Sequence, residues 1–133
     1  MQILVVEPGK TPVITEIGGS LNEMQKIVGG TIQAVYPFPE EVALVCNDEG
    51  KILGLPMNRG LRDERGNMHD IVYGTFFLCG APSDSDKFDS LSPEQLARFT
   101  TLYCIPETFM QMDAQIINGA INDGYQQNQN RYF

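Results

Sequence analysis

Short apolar segments separated by turn-forming residues constrain the fold of this chain more than any other feature. β-Branched and aromatic residues are frequent in these segments, and Gly, Pro or Asn-Asp lies between them, as is typical of strands joined by turns. Short turns join antiparallel neighbours, because a parallel pair needs a crossover of a dozen or more residues. We therefore predict a mostly antiparallel sheet of about five to six strands, drawn from residues 2–7, 12–17, 31–36, 41–46, 51–55 and 71–80.

Two places in this series carry more specific signals. The fourth and fifth segments flank the stretch NDEG at 47–50, and two apolar runs around an Asx- and Gly-containing turn predict a hairpin. Residues 71–80 form the most apolar segment, so we predict a central strand there, at least from Thr75. Gly74 interrupts this run and indicates a bulge or the close approach of another backbone.

Two helices begin with the same signal, the capping box, in which a Ser is followed three residues later by Glu or Gln. Ser20 starts one of them, and the apolar spacing that follows predicts a helix over 21–28. Ser92 starts the other, and Pro93 suits its first helical position. Pro106 ends this second helix, because proline cannot continue a helix.

The residues beyond the second helix are predicted in two parts. An apolar repeat that includes Phe109, Met112 and Ile116 predicts a C-terminal helix over 106–125. This stripe fits either the core or a homodimer interface, since Met and Phe suit both environments. Residues 126–133 are polar and low in complexity, which indicates a tail.

These elements combine into a single α+β domain, predicted over 1–105. The order is β-β-α-β-β-β followed by helices, so we expect the C-terminal helices to pack on one face of the sheet. A chain of 133 residues buries roughly two-thirds of the surface that it exposes when unfolded, so its core needs no metal or disulfide support.

The charge balance argues against several classes of function. The formal net charge is −8, whereas a general nucleic-acid binder needs Lys and Arg to neutralise phosphates, so we expect no nucleic-acid partner. No segment is long and apolar enough to span a bilayer, and we expect no membrane association. The N-terminal residues have no signal-peptide pattern, which makes the cytoplasm the expected location of this acidic protein.

Catalytic chemistry has few candidate residues in this chain. Cys46, Cys79 and Cys104 are far apart and form no CxxC motif, so we interpret them as buried free thiols. His69 is the one histidine, which leaves a zinc site or a histidine-based catalytic site without a full set of residues. We therefore expect a binding protein without enzymatic activity, without a metal and without cofactors.

The stretch 54–66, GLPMNRGLRDERG, holds three of the nine basic side chains of this acidic protein. Arg59 and Arg62 are three residues apart, and guanidinium groups bind phosphate or carboxylate in a bidentate manner. Asn58 is adjacent, and the aromatic ring of Tyr36 could stack on a base. One interpretation is therefore a site for a small anionic nucleotide or metabolite, with Tyr36, Asn58, Arg59 and Arg62 as its ligand-binding residues.

Two other interpretations of the same stretch stay open. In one, Arg59 has a structural role and pairs with a carboxylate of Glu7, Glu40 or Glu41 to tie the loop to the sheet. In the other, the loop is a surface for a protein partner. Arg65 lies at a turn beside a glutamate, where its charge is expected to be solvated.

Five pieces of the first 80 residues occur together in one order: VVEPGK at 5–10, GGTIQAVYPF at 29–38, VALVCNDEGK at 42–51, GLPMNRGLRDERG at 54–66 and IVYGTFFLCG at 71–80. Together they resemble a domain-of-unknown-function family of small uncharacterised domains, encoded by Gram-positive gut bacteria and by their phages, plasmids and other mobile elements. The resemblance implies a mobile-element context and no stated activity. We therefore predict an accessory protein of a phage or mobile element that acts by binding a protein partner, such as a host or defence protein. The alternative is a binder of a small anionic ligand at the 54–66 loop.

Overall fold

The computed structural model describes residues 1–109, which form seven strands and three helices. In chain order these are β1 (Gln2–Val6), β2 (Val13–Glu16), α1 (Leu21–Val28), β3 (Ile32–Val35), β4 (Val42–Asn47), α2 (Gly50–Leu53), β5 (Met57–Arg62), β6 (Met68–Tyr73), β7 (Phe76–Gly80) and α3 (Pro93–Leu102). Residues 106–109 have no regular structure. The remainder of the helix predicted over 106–125, with Met112 and Ile116 of the predicted dimer interface, lies outside the described residues, as does the predicted tail.

Five of the strands form an antiparallel sheet in the order β2-β1-β7-β4-β3. β7 is the central strand and pairs with β1 on one side and with β4 on the other. This arrangement confirms the predicted α+β class and the predicted central strand after Thr75. β5 and β6 form a separate two-stranded antiparallel hairpin.

Different elements cover the two faces of the sheet. On one face, Leu44 packs in a cluster with Phe99 of α3 and Val72 of the β5–β6 hairpin. On the other face, Phe77 packs in a cluster with Met24 of α1. Helix α3 therefore lies on one face, as predicted for the C-terminal part of the chain, and α1 lies on the opposite face.

Both capping boxes are present in the structure. The Ser20 hydroxyl accepts the amide of Glu23 at 3.1 Å, and the Glu23 carboxylate accepts the amide of Ser20 at 3.0 Å. The Ser92 hydroxyl accepts the amide of Gln95 at 3.1 Å, and the Gln95 side chain accepts the Ser92 amide at 2.9 Å. The predicted helix over 21–28 is confirmed as α1, and the helix predicted after Ser92 is confirmed as α3.

The predicted hairpin around 47–50 is wrong, because the segment after the turn is not a strand. Residues 50–53 form the single helical turn α2. The side chain of Asn47 accepts the amide of Glu49 at 2.7 Å, which turns the chain directly after β4. Gly54 then ends the turn in the left-handed conformation, with φ of 69°.

The most apolar segment, 71–80, contains the end of β6 and all of β7 rather than one strand. Gly74 separates them with φ of 83°, and its amide donates to the carbonyl of Pro56 at 2.7 Å. This bond is the predicted close approach of another backbone, and a Cβ atom at Gly74 would also lie 2.7 Å from the side chain of Leu55. β6 consequently leaves the main sheet and pairs with β5, which occupies much of the stretch 54–66 that was predicted to be a loop.

Removing either N-cap hydroxyl should destabilise the fold. We expect Ser20→Ala and Ser92→Ala each to lower the free energy of unfolding by about 1 kcal/mol, because each loses the acceptor of a helix-terminal amide. Urea denaturation followed by circular dichroism measures this change. Thr11→Ala, at an exposed position, is the control and should change stability by less than about 0.5 kcal/mol. Serine variants that match this control would show that the capping bonds contribute nothing.

The capping carboxylate of Glu23 should make stability depend on pH. Its pKa in the folded chain is lowered from 4.5 to about 2, first by the hydrogen bond from the Gly18 amide and then by those from Ser20. A lowered pKa stabilises the folded state above the unfolded value, and this contribution is lost as the pH falls from 4.5 towards 2. Urea denaturation of wild type and Glu23→Gln should therefore show a smaller stability difference at about pH 3 than at about pH 7. An equal difference at both would contradict the assignment.

Candidate binding site at the sheet edge

A buried amide joins the β5–β6 hairpin to the main sheet. The Nδ2 atom of Asn58 donates to the carbonyl of Val6 and to that of Gly74, at 2.9 Å each. Its Oδ1 atom accepts a hydrogen bond from Nη1 of Arg59 at 2.8 Å. The Asn58 side chain is fully buried, so these bonds replace those that it would make with water.

Arg59 is also buried, with 0% of its surface exposed, and its guanidinium connects segments that are far apart in sequence. Nη2 donates to the carbonyl of Tyr103 at 2.9 Å and to that of Lys10 at 2.6 Å, and Nε donates to Tyr103 at 3.3 Å. Burial lowers the pKa of Arg59, and the charge of Glu107 opposes this shift. The guanidinium therefore holds β5 against the turn after β1 and against the residue that follows α3.

The carboxylates proposed as partners of Arg59 are engaged elsewhere or lie apart from it. Glu40 pairs with Arg98 of α3 at 2.7 Å, and Glu7 pairs with Lys10 at 3.2 Å. The carboxylate of Glu41 accepts the hydroxyl of Ser83 at 2.7 Å. Arg59 thus ties the hairpin to the sheet through neutral carbonyl oxygens and not through an ion pair with these groups.

Arg62 differs from Arg59 in exposure and in partner. Its Nη1 and Nη2 atoms contact the two carboxylate oxygens of Glu107 at 3.1 and 2.9 Å. The same carboxylate accepts the amide of Gly60 at 3.1 Å, so the segment after α3 is fixed to β5 at a second point. The hydrogen bonds that Arg62 donates to the Glu107 carboxylate raise the pKa of Arg62. Arg65 is exposed at the tip of the hairpin.

The structure places the four predicted ligand-binding residues in different surroundings. Asn58 and Arg59 are in contact in the interior, and Arg62 pairs with Glu107 at the surface. Tyr36 follows β3 and is 63% exposed. In the sheet, β7 and β4 separate β3 from β1, which carries the carbonyl that Asn58 contacts. An anion site made of these four residues stays a prediction. The Nε and Nη2 atoms of Arg59 already donate to backbone carbonyls of the chain.

A groove of about 420 Å³ opens beside the edge strand β3. Its walls are β3 and β4 of the sheet, helix α2, and the facing side of the β5–β6 hairpin, and we refer to it as the edge groove. Its apolar lining includes Val35, Leu44, Leu61 and Val72. A volume of this size suits a small ligand or a few side chains of a partner.

The polar rim of the edge groove is acidic. It contains Asp48, Glu49 and Asp70 with a single cation, Lys51, so these four side chains carry a net charge of −2 (one positive and three negative). The Lys51 ammonium pairs with Asp70 at 2.8 Å and lies 5.8 Å from the centre of the Tyr73 ring. The groove therefore presents an apolar floor and an electronegative border.

The thiol in the edge groove is not activated for nucleophilic chemistry. Burial raises the pKa of Cys46, and the charges of Asp48 and Asp70 raise it further, so the thiol stays protonated near neutral pH. Burial also raises the pKa of Cys79, which lies on the central strand β7, to about 12. Across residues 1–109 no group of three or more His, Cys, Asp or Glu side chains is placed to hold a metal ion. What the groove offers is contact area and charge.

The sequence contained no strong signal for the edge groove. Its residues come from five elements, β3, β4, α2, β5 and β6, which are brought together by the packing of the hairpin over the sheet. The apolar pair Ile52 and Leu53 was interpreted as part of a strand, although both are exposed on α2. In the sequence, the one local sign of the groove is this apolar pair shortly after the turn at Asn47.

One family profile matches most of the chain. It covers residues 1–104 and has the description "Domain of unknown function (DUF3846)". A comparison with curated proteins and a comparison with solved structures each found no match. The matched region ends just after Tyr103 and so includes the edge groove and the contacts of Arg59. None of the helices in the part that the structure describes is long and apolar enough to cross a bilayer.

The three arginines of the hairpin should differ in their effect on stability. Arg59→Ala should lower the free energy of unfolding by about 3 kcal/mol or more, because it leaves buried acceptors without a donor. Arg62→Ala should cost at most about 1 kcal/mol, as is usual for a partly exposed ion pair. Arg65→Ala should change stability by less than about 0.5 kcal/mol.

Urea denaturation of the three alanine variants under one set of conditions checks this order. Arg59→Lys is the matched control, since one ammonium cannot replace a guanidinium that contacts several acceptors, and it should recover only part of the loss. If Arg59→Ala proves as stable as Arg65→Ala, the structural role of Arg59 is excluded and the anion-site interpretation gains support.

Proposed function

The chain belongs to the DUF3846 family, a domain of unknown function, and we propose that it acts by binding a protein partner at the edge groove rather than by catalysing a reaction. The observation that carries this proposal is the combination of an apolar groove floor with exposed apolar side chains around it. Ile52, on the groove wall, is 85% exposed. Leu53 and Tyr36 directly follow groove-lining residues in the chain, and both are also largely exposed. Apolar and aromatic side chains of this kind are typical of the centre of a protein interface.

The charge at the groove favours a protein segment over an anionic ligand. Asp48, Glu49 and Asp70 border the groove, and Lys51 balances only one of them. An anionic nucleotide or a nucleic acid would be repelled by this rim, whereas a basic protein surface would be attracted. The protonated Cys46 thiol suits a contact surface better than a nucleophilic centre.

The biological setting of this binding is an expectation from the family resemblance. This resemblance implies an accessory role for a phage or another mobile element in the bacterial cytoplasm, with a host or defence protein as the partner. The surface chemistry of the edge groove supports binding itself and is independent of that setting.

A site-specific photo-crosslinking experiment tests the proposal. A photoreactive phenylalanine analogue replaces Ile52 at the groove, or Leu102 at the end of α3 as the control, because both are exposed apolar positions. In cells that encode the chain, irradiation should give a discrete protein adduct from position 52 and not from position 102. The Asp48→Lys/Glu49→Lys double variant should reduce the adduct, since it reverses the charge of the rim.

Two results would overturn this proposal. One is the absence of a protein adduct from position 52. The other is the same set of adducts from both positions, which would indicate non-specific contact. Circular dichroism of each variant verifies that the fold is retained before crosslinking.

A further inference from the structure

We infer that the partner is bound through an extended basic segment, which joins the sheet as a sixth strand alongside β3. This inference rests on the proposed function, because it specifies how the edge groove takes up a protein. It follows from three features of β3: the free backbone edge, the direction of its side chains, and the charge of the groove beside it.

In the part of the chain that the structure describes, one side of the β3 backbone is paired and no strand lies along the other side. Within residues 1–109, β3 pairs with β4 alone and is the last strand of the sheet. The amide of Asp48 donates to the carbonyl of Thr31 at 2.9 Å, which marks 31 and 48 as a hydrogen-bonded pair in this register. Hydrogen-bonded pairs alternate along an antiparallel ladder, so Gln33 and Val35 bond to β4 as well. The amides and carbonyls of Ile32 and Ala34 therefore point away from β4, to the free side.

The side chains of β3 alternate between the two faces of the sheet. Gln33 and Val35 line the edge groove, whereas Ile32 and Ala34 pack on the face covered by α1. A strand added beside β3 would lie roughly 4.8 Å away and continue the same alternation. Every second side chain of that strand would therefore lie over the groove, beside its apolar floor.

The groove charge selects the chemistry of the added strand. The rim formed by Asp48, Glu49, Asp70 and Lys51 has a net charge of −2, by the count of one positive and three negative groups. Lys or Arg at the groove-facing positions could lay their aliphatic stems on the apolar floor and direct their charges to this rim. A second copy of the chain is disfavoured as the occupant, because edge pairing would bring two acidic rims and two molecules of net charge −8 together.

The other end of the sheet offers a matched control. The amide of Ile17 donates to the carbonyl of Met1 at 3.0 Å, so these two residues are a hydrogen-bonded pair. Because such pairs alternate along β2, the amide of Ile14 points away from β1. A proline can replace a residue whose amide faces away from the ladder without removing a bond within the sheet. Ala34→Pro removes a donor on the β3 edge, and Ile14→Pro removes the equivalent donor on the β2 edge.

Peptide binding to these variants tests the inference. The probe is a nine-residue synthetic peptide that alternates Thr or Val with Lys, compared with a scrambled isomer and with the same pattern carrying Glu. Isothermal titration should show that the alternating basic peptide binds wild type and Ile14→Pro equally and binds Ala34→Pro about tenfold more weakly or worse. Its affinity should fall as salt is added, because the rim charges become screened.

Amide hydrogen exchange on the wild-type chain provides a second, independent readout. On addition of the basic peptide, exchange at Ile32 and Ala34 should slow, because their amides gain partners in the added strand. Exchange at Ile14 should not change. This measurement decides the question even if the proline variant of β3 does not fold.

Each contrary result has a defined meaning. Equal binding of the scrambled or glutamate peptide would overturn the strand pattern or the charge selection, and so would a failure of the basic peptide to bind. Binding without slowed exchange at Ile32 and Ala34 would overturn strand addition. A protein adduct from position 52 would then still support the proposed function, whereas loss of that adduct would remove both proposals.

Discussion

A single buried guanidinium, that of Arg59, is the interaction on which the candidate site depends. It connects β5 with the residue after α3, through Tyr103, and with the turn after β1, through Lys10. A buried charge is unfavourable unless acceptors surround it, and here carbonyl oxygens and the Asn58 amide do so. These bonds hold the hairpin across one face of the sheet. Leu61 and the neighbouring hairpin residues form a wall of the edge groove, so the bonds that hold the hairpin on the sheet also position this wall.

The same reasoning explains two of the three arginines in this short stretch of an acidic chain, Arg59 and Arg62. A guanidinium has several donors in a rigid fork and can satisfy carbonyls from separate segments at once. Arg59 does this in the interior, and Arg62 binds the carboxylate of Glu107 at the surface. Both contacts fix the segment after α3, so the hairpin and the end of the described chain are held together.

The features that the sequence predicted are those with local causes. Ser20 and Ser92 determine the starts of α1 and α3 through bonds to residues three positions away, so the pattern alone was sufficient. The strand predicted over 51–55 failed because apolar residues suggested burial, whereas Ile52 is exposed on a helical turn that Asn47 initiates. The burial of Arg59 could not be predicted either, since its acceptors lie 44 and 49 residues away in the chain.

The β3 edge, unpaired among residues 1–109, and the acidic groove beside it also bear on association between copies of the chain. Unpaired edge strands promote association between molecules, and proteins limit this with short edge strands and with charge. β3 has four residues, and the carboxylates of Asp48 and Asp70 lie next to it. These charges oppose pairing between two copies of the chain, while they attract a strand of opposite charge. The acidic rim therefore bears both on self-association and on the basic strand that we propose as the partner.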